Sequence, residues 1–201
     1  MGTSGLDQKR YALWDIGFDR LASITKLYEW TRKQTRGQPL FPFAVGQLYA
    51  AELAKEICQF SDLQYTWGQI INKDAAVSRE IDLILFSGKP YLSWATIGFS
   101  LVRSNDVEYT IECKTELSVT EEEFARYKMQ IQDLQQWTTK KATHFIFAAC
   151  CYLKGNTYER WANELRQDGW NDVFLLYDGV NGDKERRKDW YRLMETFAPR
   201  L

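Results

Sequence analysis

The sequence holds one histidine, His144, among 201 residues. That scarcity removes Ser/His and Cys/His nucleophilic arrangements, which need an imidazole base beside the nucleophile, and His144 itself only opens an apolar run. Cysteine is sparse too: four residues, at 58, 113, 150 and 151, with no CxxC spacing and no cysteine–histidine zinc pattern. The adjacent Cys150–Cys151 pair, inside an apolar run, reads as buried thiols rather than a disulfide frame, which agrees with a reducing, cytoplasmic setting. No charge-free apolar stretch of about 18 residues exists to span a membrane, and MGTSGLDQKR lacks the apolar core of a signal peptide. P-loop and GxGxxG signatures are missing, as are repeats, low-complexity tracts and a clear interdomain linker. Nor is there an excess of one charge. Formal net charge is -1 and the pI is near 6.0, so any contact with nucleic-acid phosphate must come from local positive charge. The local candidates are Arg32, Lys33 and Arg36, the Lys140–Lys141 pair, and KERRK from Lys184 to Lys188, each read first as a solvated face.

What is present describes a globular chain. Hydrophobic residues make up 45% and charged residues 26%, and 201 residues suffice for one sizeable core. Apolar residues at three- and four-residue steps, from Leu13 through Ile16 or Gly17, Phe18 or Leu21, Ile24, and Leu27 or Tyr28 to Trp30, predict a helix over 7–34. Gly37 and Pro39 punctuate it, and Pro42 argues against ordinary helix in LFPF. A second helix is expected over 44–60, with Leu48, Ala51, Leu53, Ile57 and Phe60 as its apolar side. Strands are expected at 63–71, 79–86 and 107–114, while 92–105 reads as either an extra strand or a loop. Thr120 followed by Glu123 is a capping-box signature, and Phe124, Tyr127, Ile131 and Leu134 carry the helical stripe to Trp137. A buried strand (144–153), a helix stopped at Gly169, a strand (172–179) and a closing helix (183–197) complete an α/β alternation.

Two segments carry the chemistry. In VEYTIECKTELSV, residues 107–119, period-2 alternation puts Glu108, Thr110, Glu112 and Lys114 on one face, with the acid and base where the strand is expected to end. In REIDLILF, residues 79–86, Glu80, Asp82, Ile84 and Phe86 share a face, and Arg79, Ile81, Leu83 and Leu85 the other. Asp82 thus interrupts a face that turns apolar immediately after it, an expensive place for a charge without compensation by Lys114, a cation, or both. If the two strands are neighbours, Asp82, Glu112 and Lys114 share one small space. Two carboxylates offer hard oxygen ligands to Mg²⁺, and the backbone carbonyl of Cys113 could add a third. An ion so held polarises a phosphodiester, and a nearby lysine can orient the attacking water. The competing interpretation is a structural Asp82–Lys114 ion pair.

The order helix, strand, aspartate in IDLILF, Glu-x-Lys in IECK, helix, strand resembles the PD-(D/E)XK, or restriction-endonuclease-like, nuclease superfamily. SREIDLILF with IECKTELSVTEEEF is similar to a largely uncharacterised bacterial branch with this core. The resemblance covers residues 46–153; the residue before Asp82 is Ile81 rather than proline, and 87–106 lengthen the interval to Glu112. It implies an α/β three-layer fold with a central mixed sheet flanked by helices. It implies a single nuclease-like domain over 1–201, with a helical extension at 7–36, a catalytic core at 44–153 and a C-terminal α/β extension at 154–201. It implies a Mg²⁺-dependent nuclease, with Mn²⁺ as substitute, acting on DNA before RNA, in restriction or phage and mobile-element defence. Residue by residue, Asp82 and Glu112 correspond to metal ligands and Lys114 to the catalytic lysine. Glu52 on the preceding helix completes the site, with Glu56 as its rival, and Lys128 falls where a phosphate-facing lysine tends to stand. A homodimer would explain double-strand cleavage. The alternatives are a catalytically quiet nuclease-fold protein serving in binding or assembly, and an unrelated α/β protein in which these charges form surface ion pairs.

Overall fold

The structure, a computed structural model, describes residues 5–34, 42–117, 120–151, 156–178 and 184–198. Arg36, Gly37, Pro39 and residues 118 and 119 lie outside the described residues, as do the side chains of Arg32, Lys33, Cys150, Cys151 and Lys184. In chain order the elements are α1 (Gly5–Gln34), α2 (Pro42–Cys58), β1 (Gln64–Ile71), β2 (Ile81–Phe86), β3 (Leu92–Trp94), β4 (Phe99–Arg103), a 3₁₀ turn (Ser104–Asp106), β5 (Val107–Leu117), α3 (Glu121–Trp137), β6 (Thr143–Cys151), α4 (Asn156–Gln167), β7 (Asp172–Asp178), β8 (Lys184–Glu185) and α5 (Arg187–Phe197). The strands form one eight-stranded sheet in the order β3-β4-β1-β2-β5-β6-β7-β8. It is mixed: β2 runs antiparallel to β1 and β5, whereas β5, β6 and β7 are mutually parallel.

Strand alternation explains the three layers. Phe145, Phe147 and Ala149 of β6, with Phe174 and Leu176 of β7, join the cluster beneath α1, α2 and α5. Ile146 and Ala148, with Val173 and Leu175, join the opposite cluster, beneath α3 and α4. Central parallel strands buried on both faces need apolar residues at every position, which is why these two read as continuous hydrophobic runs. The expected three-layer α/β fold with a helix-flanked mixed sheet is the one found.

Several local expectations are corrected. The buried stripe of α1 is Trp14, Phe18, Leu21, Thr25 and Tyr28, whereas Leu13, Ile16, Leu27 and Trp30 are about half exposed. The phase is set by packing against α2 and against α5, whose Trp190 indole donates to the Trp14 carbonyl at 2.6 Å. Pro42 opens α2 rather than breaking it; an N-terminal proline lacks only an N–H that would have been unpaired anyway. The undecided 92–105 segment forms β3 and β4, an antiparallel pair at the sheet edge. The expected strand 107–114 continues to Leu117, held by parallel pairing of Glu116 and Leu117 with Cys150 and Cys151. Lys184 and Glu185 pair with β7 instead of entering the last helix. Thr120 caps α3 through its Oγ1, which accepts from the Glu123 N–H at 3.2 Å, but the Glu123 side chain turns to Arg126 rather than back to the cap.

Candidate active site

The site forms where two paired strands separate. The antiparallel ladder between β2 and β5 runs from Phe86↔Val107 to Leu83↔Ile111 and is not continued beyond. At the next position the Asp82 side chain replaces the backbone: its Oδ2 accepts the Cys113 N–H at 2.9 Å. A carboxylate in this fork satisfies a donor that the ladder has left behind. Period-2 alternation then puts Glu112 and Lys114 on the α3 side, where Lys114 Nζ donates to Glu112 Oε1 at 2.5 Å and Gln130 Nε2 of α3 donates to the same oxygen at 3.1 Å. Glu112 is 4% exposed, so this carboxylate lives almost wholly on protein partners. Arg79, just ahead of β2, brings Nη2 to 3.8 Å from Glu112 Oε2 and Nε to 3.3 Å from Asp133 Oδ2 on α3.

The Asp82 carboxyl is pushed up from 3.8 to about 6, first by burial and then by the charge of Glu112; Lys114, the Cys113 N–H and Arg79 pull the other way without cancelling it. The folded protein therefore holds this proton more tightly than the unfolded chain does. The stability it contributes is full below pH 3.8 and is lost as pH rises through about 6. In EDTA, wild-type protein should lose ~1–3 kcal/mol relative to Asp82→Asn between pH 4 and pH 7, measured as the difference between their urea-unfolding curves.

The remaining sequence-predicted residues are placed as follows. Cys113 contributes its backbone: its side chain packs against the cluster under α1, α2 and α5, and burial pushes the thiol well above its usual range. Glu52 pairs with Lys55 of its own helix at 2.5 Å. The cavity that Asp82 lines is faced from α2 by Gln47, Leu48, Ala50 and Ala51, and Glu52, one turn after Leu48, is not among its lining residues. Glu56, its rival, is 2% exposed and points to α1, taking Arg20 at 2.7 Å and Gln59 at 3.2 Å. Gly17 permits this, since a Cβ there would lie 2.6 Å from Glu56 Oε2. Lys128 is bound to Asp168 at 2.8 Å, away from the fork. His144 is buried between the hydroxyls of Thr110 and Thr138, and burial lowers it to about 4. In the KERRK run, Arg186 pairs with Glu159 and Asp189, and Arg187 with Asp15, Asp19 and Glu185, so these two arginines knit helices together. Lys140 and Lys141 are exposed in the turn before β6.

Sequence reasoning missed Arg79, Gln130 and Asp133. The only signal for the last two is their i,i+3 spacing on the side of α3 next to its buried stripe.

Helices on both faces of a mixed sheet, with an aspartate in the fork between antiparallel strands and Glu-x-Lys on the second of them, form a recognisable whole. The chain has the restriction-endonuclease-like PD-(D/E)XK fold. Solved structures agree with this fold over nearly the whole chain. The cAAA-bound NucC of Pseudomonas aeruginosa ATCC27853 superposes with a TM-score of 0.67 at 11% identity, covering 98% of this chain and 92% of that one. The cAAA-bound NucC of Escherichia coli MS115-1 gives 0.60 at 10% identity, covering 90% and 89%, and its apo form 0.58 at 10%, covering 92% of each. No protein-family model matches the sequence, and no curated protein does.

The PD-(D/E)XK fold implies a divalent cation, and the donor set can be tested against it. Among the described residues no group of three or more His, Cys, Asp and Glu side chains is placed to hold a metal. Two carboxylates remain, one of them with its charge incompletely offset, as the raised Asp82 shows. That set suits Mg²⁺, which takes one or two carboxylates and keeps several waters, and it does not suit a cation needing a full protein cage. The residues fit the ion.

Proposed function

We propose that the chain is a Mg²⁺-dependent nuclease hydrolysing phosphodiester bonds in DNA, serving in restriction or in defence against phages and mobile elements. The observation that supports this best is the Asp82 carboxylate seated in the β2–β5 fork beside the Glu112–Lys114 pair. Asp82 and Glu112 would hold Mg²⁺, or Mn²⁺ in its place, with the Cys113 carbonyl as a further oxygen. When bound, the ion polarises the phosphodiester and lowers the pKa of a bound water. The protein's own groups do the rest. Lys114, whose side chain is 21% exposed against 5% for Glu112, presents its ammonium to the attacking water and to the charge that develops on phosphate. Gln130 keeps Glu112 Oε1 in place, so the carboxylate need not search for its geometry. A homodimer would address both strands of a duplex. Among the described residues no helix is long and apolar enough to cross a membrane.

Lys114→Ala separates an enzyme from a scaffold. Turnover should fall on the order of 10²- to 10³-fold, while Mn²⁺ binding measured by calorimetry is retained, because the lysine works on water and phosphate rather than holding the ion. If the pair is only structural, the variant unfolds earlier and no metal or cleavage effect can be separated. The deciding assay follows linear, circular and single-stranded DNA, and RNA, with Mg²⁺ or Mn²⁺, in the presence and absence of cAAA, the molecule bound in the NucC structures. A wild-type protein that binds neither ion and cuts none of these substrates would overturn the proposal.

A further inference from the structure

Arg79 is the charged group at the fork that the proposed reaction leaves unused. It stands just before β2, outside the ladder, so its backbone is not tied into the sheet. Its guanidinium lies between two carboxylates, Nη2 at 3.8 Å from Glu112 Oε2 and Nε at 3.3 Å from Asp133 Oδ2. Both nitrogens are buried and neither makes a hydrogen bond. Native proteins rarely leave buried N–H groups in this state, and each such group calls for a reason.

The two oxygens of Glu112 are held in contrasting ways. Oε1 carries two hydrogen bonds, from Lys114 at 2.5 Å and Gln130 at 3.1 Å. Among the described residues Oε2 faces the guanidinium, about 1 Å farther off than a charge-assisted N–H···O contact would be. A guanidinium drawn fully onto Glu112 would close that gap as a bidentate pair. Asp133, on α3, draws it the other way. The result is a carboxylate oxygen that is electrostatically neutralised yet not occupied.

We propose that Arg79 is a positioning residue, the resident counter-ion of Glu112, which competes with the divalent cation for Oε2 while Asp133 tethers it far enough away for the cation to win. The inference rests on the nuclease interpretation of the fork. Without the ion, Arg79 limits the cost of burying Glu112 beside Asp82. A bound ion would take over the neutralisation of Glu112, and Arg79 would keep Asp133 as its carboxylate partner. Arginine suits this position because its planar guanidinium presents separate N–H groups, here Nη2 and Nε, to two carboxylates in a fixed geometry.

The test is Mn²⁺ titration calorimetry on wild type, Arg79→Met, Asp133→Asn and the double variant. Arg79→Met should bind Mn²⁺ roughly tenfold more tightly, the competitor having gone, and Asp133→Asn roughly tenfold more weakly, the guanidinium having closed on Glu112. The decisive comparison is the double variant: with Arg79 already replaced, Asp133→Asn should leave affinity nearly unchanged, because Asp133 acts through Arg79. Equal weakening by Asp133→Asn in both backgrounds would mean that Asp133 acts on the ion by long-range charge alone, and would overturn the tether. An Arg79→Met affinity equal to or weaker than wild type would overturn the competition while leaving the nuclease proposal standing. If wild type takes up no Mn²⁺ at all, the nuclease proposal fails first and the competition falls with it.

Discussion

Asp82→Asn is expected to abolish Mg²⁺- or Mn²⁺-dependent cleavage, by on the order of 10³-fold or more, and to do so without weakening the metal-free protein. The amide retains an oxygen that can accept the Cys113 N–H, the bond that Asp82 makes at 2.9 Å, so the end of the fork should keep its shape. What disappears is a buried negative charge beside Glu112, the two causes that raise the Asp82 carboxyl to about 6. At pH 7.5 in EDTA the variant should therefore match or exceed wild type in its unfolding midpoint, while calorimetry finds its Mn²⁺ affinity lost. A structural ion pair gives the opposite pattern, because removing one member leaves the other buried without a partner. Thermal unfolding, Mn²⁺ titration and cleavage on one preparation decide between the two. A variant that still cuts would remove Asp82 from the reaction.

Gly68→Ala should severely destabilise the sheet. Gly68 lies in β1 between β2 and β4, opposite Ile81 on one side and Ser100 on the other. A Cβ at this position would come to 2.0 Å from the Ser100 carbonyl oxygen and 3.0 Å from its carbon. The obstacle is backbone, so no rotamer change relieves it, and the strands must part. The expected loss is more than ~3 kcal/mol, seen as a large drop in the urea midpoint. Because Ile81 is the register partner of Gly68, the displacement passes directly to Asp82. Protein that remains folded should lose Mn²⁺ affinity along with stability. An unchanged midpoint would mean that β1 and β4 separate there at no cost.

Asp82, Glu112 and Lys114 are legible as a group because their signal is local. Alternation puts Glu112 and Lys114 on one face of β5; in β2 it is broken, since Ile81 joins the cluster of Ile84 and Phe86 rather than that of Leu83 and Leu85. The α/β alternation was legible for the same reason, since periods of 2 and 3.6 repeat within each element. Local patterns were weaker at phase. In α1 the set Leu13, Ile16, Leu27 and Trp30 is as regular as the set that is buried, Trp14, Phe18, Leu21 and Tyr28. Docking against α5, through Trp190, and against α2, through Glu56, separates them. The end of β5 was misjudged because its last residues, Glu116 and Leu117, are held by β6, a strand more than 20 residues farther along the chain.

By itself, then, the sequence determined the layer architecture and the meeting of Asp82, Glu112 and Lys114, since both depend on residue type and short spacing. Tertiary structure decided which groups surround that set. It turned Glu56 to Arg20 of α1, because the rotation of a helix about its own axis is set by what it packs against and not by its own hydrogen bonding. It brought Arg79, Gln130 and Asp133 to Glu112 from a loop and from α3, elements whose approach depends on how the two hydrophobic clusters pack. It also set the charge state of Asp82, because burial and the nearness of Glu112 are properties of the fork between β2 and β5 and exist only once those strands have paired and parted.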